Sequence, residues 1–226
     1  MNLAQTLSRE PDLHSIPHLK PIVFVVADDA AVRESLELLI RCEGWQPETF
    51  QSPREFLNRP RPVVPSCLVL DVSLPDLDGL ELQKAIARER AEMPIILISD
   101  HGDVPTTVRA MKAGAADFLT KPFSNAGLLQ VIRESLQRSR VVLDREMVIR
   151  DLRSCYASLT SRERQVMGLV VGGLLNKQVG AQLGISEITV KAHRGQVMQK
   201  MKANSFADLV RMASRLRPGS QPIHLA

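Results

Sequence analysis

The sequence predicts an α/β fold: a doubly wound, five-stranded parallel sheet, joined by a long helical linker to a small all-α, four-helix domain built around a helix-turn-helix. Three observations predict it. Short Ile/Val/Leu runs without polar alternation recur along the first part of the chain, separated by segments with helical apolar spacing, as in a parallel sheet covered on both faces. The third run, Cys67-Leu68-Val69-Leu70, ends on one carboxylate, Asp71, and Lys121-Pro122 follows 50 positions later, after the fifth run. Charge is also divided unevenly: residues 1–140 hold 16 Lys/Arg against 19 Asp/Glu, whereas 141–226 hold 13 against 6. An acidic module is joined to a basic one, and basic excess on a small domain is the electrostatic footprint of a phosphate-backbone binder.

Residues 1–20 show no sustained period and are expected to form a mobile arm. The sheet domain, 21–140, opens with strand Ile22–Val26. Val32, Leu36, Leu39 and Ile40 then mark a helix ending at Gly44. Strand Trp45–Phe50 follows. Ser52 can cap the next helix, with Pro53 at its first position and Glu55 closing a capping box. Strand Cys67–Leu70, a helix from about Gly79 to Arg90, strand Ile95–Ser99, a helix from about Val104 to Ala113 and strand Phe118–Thr120 complete the series. From Ser124 onward, Leu128, Leu129, Ile132, Leu136, Leu143, Met147 and Leu152 recur at threes and fours. They fit either one long helix running through a linker at 141–156 or two helices broken near Arg140. A basic domain at 157–218 and a tail at 219–226 end the chain.

At 226 residues, with 44% hydrophobic and 24% charged, the chain has the balance of two globular domains. Cys42, Cys67 and Cys155 are odd in number, widely spaced and free of any CxxC, which argues against a disulfide framework or zinc site. The N-terminus lacks a basic start followed by an apolar core, and no segment approaches the ~20 apolar residues of a bilayer span. A cytoplasmic protein with no membrane partner is expected.

In open parallel sheets, ligands gather at the carboxyl ends of the strands. Asp28, Asp71, Ser99 and Lys121 all fall there, and each suits one part of phosphoryl chemistry. A carboxylate can take a phosphoryl group as an acyl phosphate if the moving charge is neutralised. Mg²⁺ needs only one or two carboxylates, so Asp28, Asp71 and a backbone carbonyl near Ser73 suffice, with Asp29 a further candidate through water. Lys121 can pair with a phosphoryl oxygen and the Ser99 hydroxyl can donate to another. Asp76-Leu77-Asp78-Gly79 lacks the distal Glu of a calcium loop, and Ser73 stands where an aspartate-based phosphatase has its second acid.

In this order the residues resemble the receiver domain of bacterial two-component response regulators, over about 20–140. The resemblance lies in Asp71-Val72-Ser73-Leu74-Pro75-Asp76-Leu77-Asp78-Gly79, Ile98-Ser99 and Gly114-Ala115-Ala116-Asp117-Phe118-Leu119-Thr120-Lys121-Pro122-Phe123. It implies a flavodoxin-like fold and Asp71 as phosphoacceptor from a sensor histidine kinase. It also implies that Ser99 and Phe118 act as a coupled switch, and that the fourth helix, fifth strand and fifth helix pair two receivers. Receivers usually carry two acids directly after the first strand. Val25-Val26-Ala27-Asp28-Asp29 admits two registers; if Val32 fills the apolar position four past the second acid, Asp28 is the direct ligand and Ala27 replaces the first acid. Ala27, with Asp100 beside Ser99, motivates an alternative: a phosphorylation-independent transcription factor with a degenerate receiver.

In the basic domain, Thr160-Ser161-Arg162-Glu163 is a capping box that opens a helix with Val166, Leu169 and Val170 on its apolar face. Gly172-Gly173 ends it. A helix over about 176–183, a turn at Gly184 and a Ser186-capped helix from Glu187 to about Met201 give helix-turn-helix order. Ile188, Val190 and Val197 are expected to face inward, and Thr189, Lys191, His193, Arg194 and Gln196 to include the groove-facing side, with Lys177 also on the DNA. Residues 157–216 resemble the LuxR-type helix-turn-helix of NarL/FixJ regulators through Leu159-Thr160-Ser161-Arg162-Glu163-Arg164, Asn176-Lys177-Gln178-Val179-Gly180-Ala181-Gln182-Leu183-Gly184-Ile185-Ser186 and Thr189-Val190-Lys191-Ala192-His193-Arg194. The resemblance implies a non-enzymatic transcription regulator whose partners are promoter DNA, a second copy of itself on activation and RNA polymerase. A last helix, about Ser205–Ser214, would pair subunits.

Overall fold

The computed structural model describes residues 20–60, 63–72, 93–100 and 103–216. The helix expected near Gly79–Arg90, the Ser73 carbonyl, most of the N-terminal arm and the C-terminal tail lie outside the described residues. The chain divides into two compact units, 1–143 and 144–226.

The first unit contains β1 (Ile22–Val26), α1 (Ala30–Cys42), β2 (Gln46–Phe50), α2 (Pro53–Leu57), β3 (Ser66–Asp71), β4 (Ile95–Ser99), α3 (Val104–Lys112) and β5 (Asp117–Thr120). The strands are all parallel, in the order β2-β1-β3-β4-β5. β1, β3 and β4 are buried at every position, as uninterrupted apolar strands inside a two-faced sheet should be, whereas β2 and β5 are partly exposed edges. Alternation within each strand then sends residues to opposite faces. Ile22, Phe24, Val26, Leu68, Leu70, Ile95 and Leu97 form one core with Phe56 of α2 and Ala110 of α3. Phe24, Phe50 and Phe56 meet there, with ring centroids 5.3 to 6.2 Å apart. Val23, Val25, Cys67, Val69, Ile96 and Ile98 form the other, against Leu36 and Ile40 of α1 and Leu128, Ile132 and Leu136 of the helix after β5. Burial pushes the Cys67 thiol pKa well up, so it behaves as a small apolar side chain.

That last helix, α4, is a single helix of 33 residues, Asn125–Ala157; of the two patterns the sequence allows, the break near Arg140 does not occur. Ser139, fully buried on it, accepts a hydrogen bond from the Ser66 backbone N–H at 3.1 Å, satisfying the donor that begins β3. The cap of α2 differs from expectation. Ser52 Oγ accepts from the Glu55 N–H at 3.3 Å, but the Glu55 carboxylate accepts from Gln51, at 3.0 Å, and not from Ser52. With Ser52 extended at φ −138°, ψ 152°, the reciprocal bond satisfies the unpaired donor one residue earlier.

In the second unit, α5 (Ser161–Val171), α6 (Asn176–Leu183), α7 (Glu187–Lys200) and α8 (Phe206–Leu216) surround two apolar clusters. Val166, Val170, Val179 and Val190 seat α7 on α5 and α6. Met167, Val197, Met201, Leu209 and Ala213 pack α8 beneath, with Leu152 of α4.

Candidate functional site

At the carboxyl edge of the sheet, the chain leaves β1 toward β2 on one side and β3 toward β4 on the other, and such a switch point opens a crevice beyond the strand ends. The register assembles the candidate residues there. Val26 lies opposite Leu70 and Asp71 opposite Ile98, so Ala27, Asp28 and Ser99 follow at the same edge. Ser99 lies opposite Thr120, which brings Lys121 alongside.

Asp71, whose side chain is 1% exposed, receives a hydrogen bond from Lys121 Nζ to Oδ2 at 2.6 Å. The Lys121 backbone N–H donates to Ser99 O at 2.8 Å, fixing the base of the side chain, and Nζ also lies 3.5 Å from Asp100. Burial works to lower the Lys121 pKa, but the hydrogen bond and charge of Asp71, with those of Asp100, outweigh it and hold the ammonium above its ordinary value. Lys121 therefore stays charged at neutral pH. Ser99 is buried at 3% exposure. Phe118 is half-buried, its ring packed against the first core.

The loop after β1 turns at the edge of the second core. Ala27 is fully buried and Asp28 exposed, while Val32 packs into the second core. Asp29 N-caps α1, its Oδ1 accepting from Ala31 N at 2.8 Å. Arg33, which the motif reading missed, closes the loop from behind: Nη1 donates to the carbonyls of Ala27 at 2.7 Å and Asp28 at 2.8 Å. Its sequence signal was its place in the first turn of α1, within reach of the loop. Asp28 and Asp71 offer carboxylate oxygens, hard donors that fit Mg²⁺ and not a thiophilic metal.

In the helical unit, α5 carries the expected capping box in full. Thr160 Oγ1 accepts from Glu163 N at 3.2 Å, and the Glu163 carboxylate accepts from Thr160 N at 2.7 Å. Lys200 of α7 also grips both oxygens of Glu163, at 2.7 and 2.9 Å. These bonds, with that to Lys200 foremost, hold the Glu163 carboxyl below the usual carboxylate range.

Two glycines shape the turn into α7. Gly184 takes the left-handed conformation, φ 66°, at the end of α6. At Gly180, a Cβ would stand 2.7 Å from the Ile185 carbonyl, so only glycine allows the chain to fold back this closely. Arg162 braces the same turn, its Nη2 donating to Leu183 O at 2.6 Å.

On α7, Val190 and Val197 face the core, but Ile188, expected beside them, is 79% exposed. Two residues on a helix are about 200° apart, so Ile188 and Val190 cannot share a face. Thr189, Lys191 and Gln196 are exposed, as is Lys177 on α6, whereas His193 and Arg194 are half-buried. Arg194 lies only about 40° around the helix from Val190. Its guanidinium donates to Asn176 Oδ1 at 3.2 Å and covers the Phe206 ring at 4.6 Å, which binds α7 to α6 and α8.

Known proteins match both units. Residues 23–133 match the response regulator receiver domain, and 157–213 the bacterial regulatory proteins of the luxR family. Nodulation protein W of Bradyrhizobium diazoefficiens is 49% identical over 203 residues, covering 90% of this chain and 89% of that one. Transcriptional regulatory protein FixJ of the same organism is 40% identical over 193 residues, covering 85% of this chain and 94% of that one. A solved structure of the response regulator StyR, 45% identical, superposes with a TM-score of 0.80 over 87% of this chain and 100% of that one. No helix among the described residues is long and apolar enough to cross a membrane. Similarity across both units lends no support to a receiver withdrawn from signalling. The chain belongs to the response regulators that join a receiver domain to a LuxR-type DNA-binding domain, a family of transcriptional regulators.

Proposed function

We propose that Asp71 accepts a phosphoryl group from a sensor histidine kinase in the cytoplasm, and that the modified protein dimerises and binds paired promoter sites, where it engages RNA polymerase. The observation that carries this reading is the 2.6 Å contact between Lys121 Nζ and a buried Asp71 at the end of the central strand. An Asp71 oxygen attacks phosphorus, the kinase imidazole leaves, and an acyl phosphate forms. Lys121 then moves from the carboxylate to a phosphoryl oxygen, and the Ser99 hydroxyl donates to another. Asp28 and Asp71, with the Ser73 carbonyl and with Asp29 through water, would hold Mg²⁺, which neutralises charge on the transferring group. Arg33 keeps the loop bearing Asp28 in place.

Phosphate selects a form the receiver already visits, by contacts made only in that form. Phe118, half-buried on an edge strand, follows Ser99. The apolar side chains that α3 exposes, Val104 (74%), Val108 (43%) and Met111 (45%), support a pairing face over α3, β5 and α4. The domain boundaries we assign are a receiver at 21–140, a linker at 141–156 and a DNA-binding domain at 157–218. In that last domain Lys177, Thr189, Lys191 and Gln196 face the DNA, His193 lies at the margin, and Arg194 holds the reading helix in place. α8 pairs the subunits.

Intact-protein mass after incubation with Mg²⁺ and a small acyl phosphate tests the reading. One added phosphoryl group is expected in the native chain and none in Asp71→Asn. Equal labelling of both proteins, or of neither, would remove Asp71 from this role.

A further inference from the structure

On the exposed side of α7, Ile188, Ala192 and Gly195 follow one another at spacings of four and three, one stripe along the helix, and Ile188 leads it at 79% exposure. Single apolar residues on a surface are ordinary. This one occupies the second position of the helix that enters the major groove, where base edges are met. The polar groups around it are engaged with one another. Ser186 Oγ accepts from Thr189 N at 3.1 Å and lies 2.8 Å from Thr189 Oγ1. Lys191 Nζ pairs with Glu187 at 3.1 Å. Beside these groups the first turn presents outward a branched aliphatic side chain, with the small Ala192 one turn behind it. In the major groove the matching apolar group is the 5-methyl of thymine.

Resting on the DNA-binding reading above, we propose that Ile188, flanked by Ala192, reads the 5-methyl group of a thymine in each half-site. The chain then prefers a T·A pair at a position that no hydrogen bond specifies. Lys191 and Lys177 supply attraction to phosphates, which is indifferent to sequence.

The test uses the full chain with Mg²⁺ and acyl phosphate to select sites from random duplex DNA. Each thymine of a selected site is then replaced singly by deoxyuridine, which removes the methyl and nothing else. Burying one methyl corresponds to about fourfold in affinity, so replacement at one position per half-site is expected to weaken binding by about that factor. Ile188→Ala should lose a similar factor on the thymine site, lose nothing more on the deoxyuridine site, and keep the salt slope of the native chain. If no deoxyuridine weakens binding, or if the loss persists in full in Ile188→Ala, the inference is overturned while sequence-specific binding stands. If no sequence is enriched, the DNA-binding reading falls, and the inference with it.

Discussion

Two lysine–carboxylate pairs, one in each unit, are alike in distance and burial and differ in chain context. Lys121 meets Asp71 at 2.6 Å and Lys200 meets Glu163 at 2.7 Å, with carboxylate side chains 1% and 6% exposed and lysines 21% and 31%. The difference lies in where the chain places each acid. Glu163 is the third residue of a helix, and its oxygens also satisfy the Thr160 N–H, so the pair ties the start of α5 to the end of α7. Asp71 ends a central strand at a switch point, with Asp100 close to the same lysine, an arrangement in which Lys121 can exchange partners when an anion arrives. Contact distance does not separate a brace from the phosphorylation site proposed above; local chain context does.

Unequal stability effects sharpen the contrast. Glu163→Ala is expected to lower the unfolding midpoint of the DNA-binding domain substantially, because it removes a cap and strands Lys200. Asp71→Asn should shift the receiver far less, since Asp100 remains beside Lys121 and crowding among the acids is relieved. Calorimetry on the full chain resolves the order, and the reverse order would break the comparison.

A similar contrast separates two glycines of the helical unit. Gly180→Ala drives a Cβ against the Ile185 carbonyl and is expected to cost about 1–3 kcal/mol. Gly195 lies within a helix, where a Cβ would meet open space, and Gly195→Ala should stabilise the domain by up to about 1 kcal/mol. Urea unfolding of both variants would show opposite signs, and equal signs would refute the steric account.

The smallest effects are expected at the extremes of pH, on opposite sides for the two pairs. The folded-state pKa of Glu163 lies below its ordinary 4.5. Its contribution is complete above that value and fades as pH falls through the folded one. The folded-state pKa of Lys121 lies above its ordinary 10.5, so its contribution is complete below that value and fades as pH rises through the folded one. Glu163→Gln should flatten the acid limb of the DNA-binding domain, and Lys121→Met the alkaline limb of the receiver, in stability measured across pH. Unaltered limbs would detach these groups from the pH response.

Much of this architecture was legible because its signals are local. Uninterrupted Val/Ile/Leu runs announced strands buried on both faces, and Thr160 with Glu163 announced the start of α5. The carboxyl-edge set of Asp28, Asp71, Ser99 and Lys121 followed from the place of each at or just after the end of a strand in a parallel sheet. What escaped was tertiary. Lys200 joins Glu163 across 37 residues, Arg194 turns inward because Phe206 and Asn176 await it, and the tight fold at Gly180 depends on a carbonyl five residues away. None of these leaves a trace in periodicity. Ile188 differs in kind: its apolar character suggests burial, but its angle of about 200° from Val190 turns it to the exposed side of the helix.

On α7, the residues that pack and those that look outward scarcely overlap. Val190 and Val197 carry the core, while positions 188, 192 and 195 touch none of it. On the reading proposed for this helix, substitutions at those positions change the preferred base pairs and leave the packing of the scaffold intact.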